Sequence, residues 1–364
     1  MSEPTAAPIA PSRPGTLRLG VLSWQVPLRA GAVSLVGLLL LAVLVAVDLS
    51  HGDFQIPLSE VVSTLLGGGD TGQRFIVLHL RLPQTLVAVL VGLALGLAGA
   101  MTQTFARNPL ASPDILGVNQ GAAVGAVAVI VMTGSTGNDG GLPSGLLQQV
   151  GVPMAAFGGG LGSAVLLYAL SWRRGIDGQR LILIGIGLSF VLTALTSYLL
   201  VHARIQDAVS AQVWLNGSLN ARGWDQAWPL IWTLLALVPL ALLLAHPLNA
   251  QQLGDDPARG LGVRLQTTEL LTLLTAVGLA AVAVAAVGPL SFVALVVPQI
   301  ALRLVGGSRP PMVASMVWGA CLVVTSDVVT RVLLTSVPAG LVTSAVGAPY
   351  LIWLLLRSNR RIST

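Results

Sequence analysis

Residues 81–122 read RLPQTLVAVLVGLALGLAGAMTQTFARNPLASPDILGVNQGA, from Arg81 to Ala122. From Gln84 to Thr104 this stretch carries no charged side chain, and a helix needs about 20 apolar residues to cross a bilayer. Gly92, Gly96 and Gly99 recur every three to four residues. They give the helix a small-residue face on which another membrane helix can come close. Arg107, Asn108 and Pro109 then break the run, and a second apolar run begins near residue 115. Two crossings joined by a short polar turn set the fold class, an all-α polytopic membrane protein.

The rest of the chain repeats the pattern. Apolar runs at about 30–47, 84–104, 115–133, 151–171, 181–201, 228–245, 268–287, 290–305, 312–334 and 338–356 predict ten transmembrane helices within residues 28–357. Composition agrees: 54% of the 364 residues are hydrophobic, 9% are charged, and the mean hydropathy is +0.83. A soluble domain carries about 25% charged residues. Residues 1–27 hold Pro4, Pro8, Pro11, Pro14 and Pro27 among small polar residues and predict a disordered cytoplasmic tail. Residues 358–364 form a short cytoplasmic tail at the other terminus. The first apolar run is too long for an ordinary signal sequence and is read as a retained helix.

Arginine placement tests the count. With the N-terminus in the cytoplasm, ten crossings put Arg13, Arg18, Arg29, Arg107, Arg173, Arg174, Arg180, Arg259, Arg264, Arg303, Arg309, Arg357, Arg360 and Arg361 inside. Only Arg74, Arg81, Arg204, Arg222 and Arg331 fall outside. This nearly threefold bias follows the positive-inside rule, and losing one crossing would scramble it. Both termini are therefore expected in the cytoplasm.

The residue inventory excludes several kinds of chemistry. All 19 basic residues are arginine, so a phosphate loop with its Gly-Lys-Ser/Thr end is absent and no lysine Schiff base can form. Cys321 is single, which rules out an internal disulfide. His51, His79, His202 and His246 are scattered without ligand-like spacing. No metal site, bound cofactor or nucleic-acid partner is expected, and the positive charge reports topology instead. An ion-coupled secondary transporter would place ionisable residues or broken helices at mid-membrane. Here Asp114, Glu269, Asp327 and Arg331 lie near helix ends. A membrane enzyme would need converging nucleophile, base or metal ligands, and these are dispersed.

The loops have character. IPLSEVVSTLL (56–66) predicts a short amphipathic helix on the outer surface, and residues 205–220 predict another, ending near Asn216-Gly217. The longest inner loop, 246–267, contains LGDDPARGLGV from Leu253 to Val263. Its acidic start and glycine stop predict a short helix.

Four stretches, in order, resemble the permease family of ABC importers for iron–siderophores, haem and cobalamin. They are Arg81–Ala122, then Trp214-Leu215-Asn216-Gly217-Ser218-Leu219, then Leu253–Val263. The fourth runs from Gly288 to Arg357 and includes GPLSFVALVVPQIALRLVGG and VPAGLVTSAVGAPYLIWLLLR. The resemblance implies a transmembrane permease in a bacterial inner membrane, without an ATPase site of its own. Its partners would be membrane lipid, a second identical or related permease, two ATP-binding subunits holding ATP–Mg, and an extracytoplasmic substrate-binding protein. Gln299 after Pro298 is similar to the ferric-siderophore branch, so a ferric siderophore is the expected cargo, with haem or cobalamin the alternative.

Residue roles follow from the same resemblance. Leu253, Gly254, Ala258, Arg259, Gly260, Leu261 and Gly262 match the segment that couples to the ATPase. Arg81 and Arg331 match arginines that receive acidic residues of the binding protein. Gln84 stands where relatives often have a second arginine. Asp327 and Arg331, four apart, share a helix face and are expected to form an intramembrane ion pair. Gly178 and Gln179 lie where relatives close the cytoplasmic end of the channel. Small residues of the fifth, eighth and tenth crossings are expected to line the path, with a kink at Pro298.

Overall fold

The computed structural model describes residues 14–19, 22–52, 54–114, 116–135, 151–172, 178–334 and 337–359. Among these the regular secondary structure is helical except for one antiparallel strand pair, β1 (Pro14–Leu19) and β2 (Leu22–Pro27), in register from Pro14↔Pro27 to Leu19↔Leu22. The expectation of an unstructured tail therefore does not hold over 14–19 and 22–27. The alternation of Leu17 and Leu19, and of Leu22, Trp24 and Val26, is a strand pattern that the proline content obscured. Residues 1–13 and 360–364 lie outside the described residues.

The helices are α1 (Leu28–Ser50), α2 (Leu58–Leu65), α3 (Leu82–Phe105), α4 (Val118–Ser135), α5 (Val152–Ser171), α6 (Gly178–Val201) and α7 (Ile205–Leu215). There follow α8 (Trp224–Gln251), α9 (Asp255–Gly260), α10 (Leu265–Val287), α11 (Val293–Val305), α12 (Met312–Val332) and α13 (Ala339–Asn359). Each apolar run falls on one helix, and the surface segments become α2, α7 and α9. Seven spans are long and apolar enough to cross a membrane, while α4, α11 and α13 are apolar over shorter lengths. The turn before α3 is wider than α-helical: residues 75–81 form a π-helix that runs straight into it.

Helix α3 is the hub, packed by α8, α10, α11 and α12. In its apolar window, 78% of residues are buried, as in α10, against 6% in α1. Its glycines explain how four neighbours fit. A Cβ on Gly92 would meet the backbone of Gly319 and Ala320 in α12. On Gly96 it would strike the Ser315 carbonyl, and on Gly99 the Ala294 carbonyl of α11. The last contact uses a carbonyl that Pro298, four residues on, leaves without its helical N–H partner. Helices α4 and α5 meet in the same way, backbone to backbone, at Gly121 and Gly159.

Helix α11 has only 13 residues, roughly 20 Å of rise against a hydrocarbon core of about 30 Å. The shortfall is made up by residues 288–292, a non-helical connection with Gly288 at φ 80° and Phe292 at φ 67°. Such backbone survives at membrane depth only when protein covers it or it lines a cavity. Here the 214–219 turn covers it. Ser218 N–H donates to the Val287 carbonyl at 2.8 Å, and Gly340 N–H donates to the Gly217 carbonyl at 3.1 Å. A Cβ at Gly217 would strike Pro289, and one at Gly340 would strike Asn216. Two of the matching motifs thus interlock.

Because overpacking against rigid backbone cannot relax, Gly96→Leu or Gly99→Leu is expected to cut the yield of folded protein about tenfold. Gly162→Leu, where nothing lies within 4 Å, should stay within about twofold. Size-exclusion profiles of fluorescent-protein fusions in mild detergent measure this, and equal yields would refute the close-approach account.

Candidate functional site

Three places carry polar side chains through an otherwise apolar chain, and they lie at the two ends of the bundle and between them. At the end remote from α9, Arg331 of α12 lies 2.8 Å from Asp327 and 3.6 Å from Asp48 of α1. Both carboxylate side chains are fully buried and the Arg331 side chain is 12% exposed. Gln84 Nε2 donates to both oxygens of Asp327 at 3.2 and 3.3 Å, and the Thr85 hydroxyl donates to Asp48. Arg81 is 6% exposed. Its guanidinium donates to the Leu49 carbonyl at 2.8 Å and to the Phe54 carbonyl.

The docking expectation for Arg81 and Arg331 needed guanidinium groups at an exposed rim. Neither stands there. Both are engaged inside the chain, and Gln84, in place of a further arginine, serves Asp327. The cluster ties α1, α3 and α12 together.

At the opposite end, α9 sits in the 252–264 loop with Gly254 at φ 107° and Gly262 at φ 81° framing it. Ala258 is buried, whereas Leu253 and Leu261 are 68% and 66% exposed, and nothing lies within 4 Å of a Cβ at Gly260. Arg259 reaches Asp256 at 3.4 Å. The loop is tied to the bundle through Arg107, just after α3. Its Nη2 donates to the Gln251 carbonyl at 2.6 Å and to Asp255 at 2.7 Å, while Gln252 Nε2 donates to the Thr104 carbonyl at 2.6 Å. Gly178 and Gln179 begin α6. Their side chains, and residues 173–177 before them, lie outside the described residues, so the gate expectation falls there.

Between the ends lies a cavity of about 530 Å³. The middle of α6 contributes Ile186, Ser189, Phe190 and Thr193, the 288–292 connection contributes Ser291 and Phe292, α11 contributes Leu295, and α13 contributes Leu351. The remaining wall is Leu110, Ser112 and Asp114 of the 106–117 connection, with Asn119 and Gln120 in the first turn of α4. Residues of the fifth, eighth and tenth crossings thus share one cavity, and several of them, Ile186, Phe190 and Leu351, are large. The sequence reading missed Asp114, Asn119 and Gln120, although all three stand inside the first of the four matching stretches. Asp114 looked like a helix-end charge because nothing local shows that its connection meets the other broken one. The Asn119 side chain and the Phe292 backbone lie beside its carboxyl group. Asn119 Oδ1, Gln120 Oε1 and Ser189 Oγ are buried without a partner within the protein, and such an atom costs about 1–3 kcal/mol. A mostly apolar cavity with a few polar groups among its walls is the ordinary form of a small-molecule site.

A model of the FecCD transport family matches residues 27–357. The chain belongs to that family. As a FecCD member it is a permease subunit of an ABC importer and has no ATPase domain. It is 39% identical over 346 residues to the achromobactin transport system permease protein CbrC of Dickeya dadantii (strain 3937), covering 94% of this chain and 96% of that protein. It is 36% identical over 315 residues to the ferric enterobactin transport system permease protein FepG of Escherichia coli (strain K12), covering 86% and 92%. The solved inward-facing conformation of a metal-chelate type ABC transporter superposes with a TM-score of 0.77 at 27% identity, over 90% of this FecCD chain and 99% of that one.

Removing one partner of a buried charge cluster leaves the others uncompensated, at about 3–5 kcal/mol. Arg331→Met is therefore expected to lower the Tm by on the order of 10 °C, and adding Asp327→Asn should recover part of the loss. Thermal unfolding in detergent tests this. A shift under about 2 °C would show that the cluster is not structural.

Proposed function

We propose that this permease forms half of a translocation path for a ferric siderophore, working in a bacterial inner membrane with both termini in the cytoplasm. A second permease, identical or related, closes the cavity across the exposed flank of α6, which carries Leu183, Phe190, Val191 and Tyr198. An extracytoplasmic binding protein delivers the chelate at the end bearing Arg81 and Arg331, and two ATP-binding subunits, with their ATP–Mg, engage the end bearing α9. The names of the relatives, transporters of achromobactin and ferric enterobactin, support the cargo class.

The observation that carries the reading is α9. A six-residue helix flanked by two exposed leucines wastes apolar surface in water unless another protein covers it. Gly260 leaves room for a close surface, and Arg107 fastens the helix to the connection that forms one wall of the cavity. Leu253, Gly254, Ala258, Arg259, Gly260, Leu261 and Gly262 are thus the segment that seats in a groove of the ATPase and transmits its motion. Energy reaches the path from outside the chain.

Gly260→Trp, on open surface, is expected to leave expression and folding intact and to reduce ATP-driven iron–siderophore uptake at least about twentyfold. Uptake of iron-55 by cells producing the complete transporter, with membrane levels checked by immunoblot, measures it. Normal uptake by this variant would refute the coupling assignment.

A further inference from the structure

A cleft of about 610 Å³ lies at the end of the bundle remote from α9, between the last turns of α1 and the segment that follows. Val43, Ala46 and Val47 of α1 form one wall, and Ile56, Pro57 and Leu58 form the other. Ser50, His51 and Gln55 supply its polar groups. Two sets of bonds fix the shape. The Ile56 N–H donates to the Ser50 carbonyl at 3.1 Å, and Arg81 donates to the carbonyls of Leu49 and Phe54. What the cleft opens onto follows from α1 and α2. In the apolar window of α1 only 6% of residues are buried, and no charged residue occurs from Ala30 to Val47. Helix α2 buries Val61 and Thr64 and leaves Leu58, Val62 and Leu65 exposed on one face. A helix with an outward apolar face lies in the boundary between headgroups and acyl chains. Leu58 belongs both to that face and to the wall of the cleft. From Val43 to His51, α1 rises roughly 12 Å and passes from apolar to polar, as that boundary does.

The hydrogens on α1 at this rim are already used. The Ser50 hydroxyl donates to the Ala46 carbonyl at 2.8 Å, so its oxygen is left as an acceptor. His51 Nδ1 lies 3.0 Å from the Val47 carbonyl, which can only accept, so Nδ1 carries the hydrogen. In the neutral ring Nε2 is then an acceptor, and His51 is exposed. Gln55, also exposed, has amide N–H groups to offer an anion. Among the described residues lining the cleft none is charged, so a net-neutral amphiphile fits it better than an anionic one. We propose that the cleft holds one zwitterionic phospholipid with a primary ammonium headgroup, of the phosphatidylethanolamine type, from the leaflet at this end. An acyl chain lies between the two apolar walls, the phosphate accepts from Gln55, and the ammonium donates to His51 Nε2 beside the half-buried Ser50 oxygen. Phosphatidylcholine has no N–H to give and is disfavoured.

The test uses the complete transporter in detergent, titrated with dioleoyl phosphatidylethanolamine and dioleoyl phosphatidylcholine, which share their acyl chains. Native mass spectrometry is expected to show that the tightest-bound lipid is the ethanolamine form, held about tenfold more strongly. His51→Leu should bring the two lipids within about twofold of each other. Ala46→Phe, which fills the cleft from α1, should remove the retained lipid of either kind. Leu39→Phe, exposed on α1 outside the cleft, should not. Size-exclusion profiles report that each variant folds, and if Ala46→Phe does not, His51→Leu at its exposed position still decides. In native membranes, a photoreactive benzoylphenylalanine at position 43 should yield adducts of lipid mass. An adduct with another polypeptide shows that a protein covers the cleft and overturns the proposal. Equal retention of both lipids by the unaltered transporter, or a preference unchanged in His51→Leu, overturns it too. None of these measurements needs ATP-driven uptake, so the result is independent of the cargo assigned above.

Discussion

Four helices press on α3, and they can do so because its glycines let backbone touch backbone. Inside lipid the hydrophobic effect gives helices no reason to associate, so close packing and a few polar contacts must hold them. Gly92, Gly96 and Gly99 set how near α12 and α11 can come. Where α11 begins, and hence where the cavity opens, depends on that spacing. The buried pair Gln103–Gln299 lies just beyond it. Gln299 donates to Gln103 at 2.7 Å, and Gln103 donates to the Leu295 carbonyl at 2.8 Å. These bonds satisfy side-chain polar groups where hydrocarbon could not.

The cavity arises where two interruptions meet. The 106–117 connection and the 288–292 connection both leave helical geometry, and Asp114 of one and Phe292 of the other line the same cavity. Phe292 is held in left-handed backbone with its ring packed against Gly347 of α13. A conformation that a bulky residue rarely adopts persists only when its surroundings impose it. The same residue starts α11, lines the cavity and touches α13, so the shape of the cavity and the placement of two helices are one problem.

The ten apolar helices were legible because hydropathy is a local, additive signal. The short helices α2, α7 and α9 were legible from turn residues and amphipathic spacing. What escaped was whatever depended on partners far along the chain. Arg81 reads as a surface charge in sequence, yet the carbonyls of Leu49 and Phe54 bury it. Asp48, in the first crossing, drew no attention until α12 brought Arg331 beside it. Asn119 and Gln120 look like ordinary first-turn residues of α4, and only the convergence of α6 and α11 makes them part of a cavity. The strand pair at 14–27 was hidden differently, by prolines that mark its ends instead of preventing it.

The bond between Arg107 and Asp255 has a mechanical meaning. Both side chains are about half exposed, at 45% and 55%, so water screens the pair and its worth is about 1 kcal/mol or less. A weld at that position would have to be broken whenever the loop shifted relative to α3. A damp latch does not resist in this way. It keeps α9 in register while the bundle is at rest and yields to thermal motion when pushed. Arg107 is also only seven residues from Asp114 along the chain, a tether of at most roughly 25 Å. Displacement at the surface thus has a short covalent lead into the interior, and a fastening weak enough to let it travel.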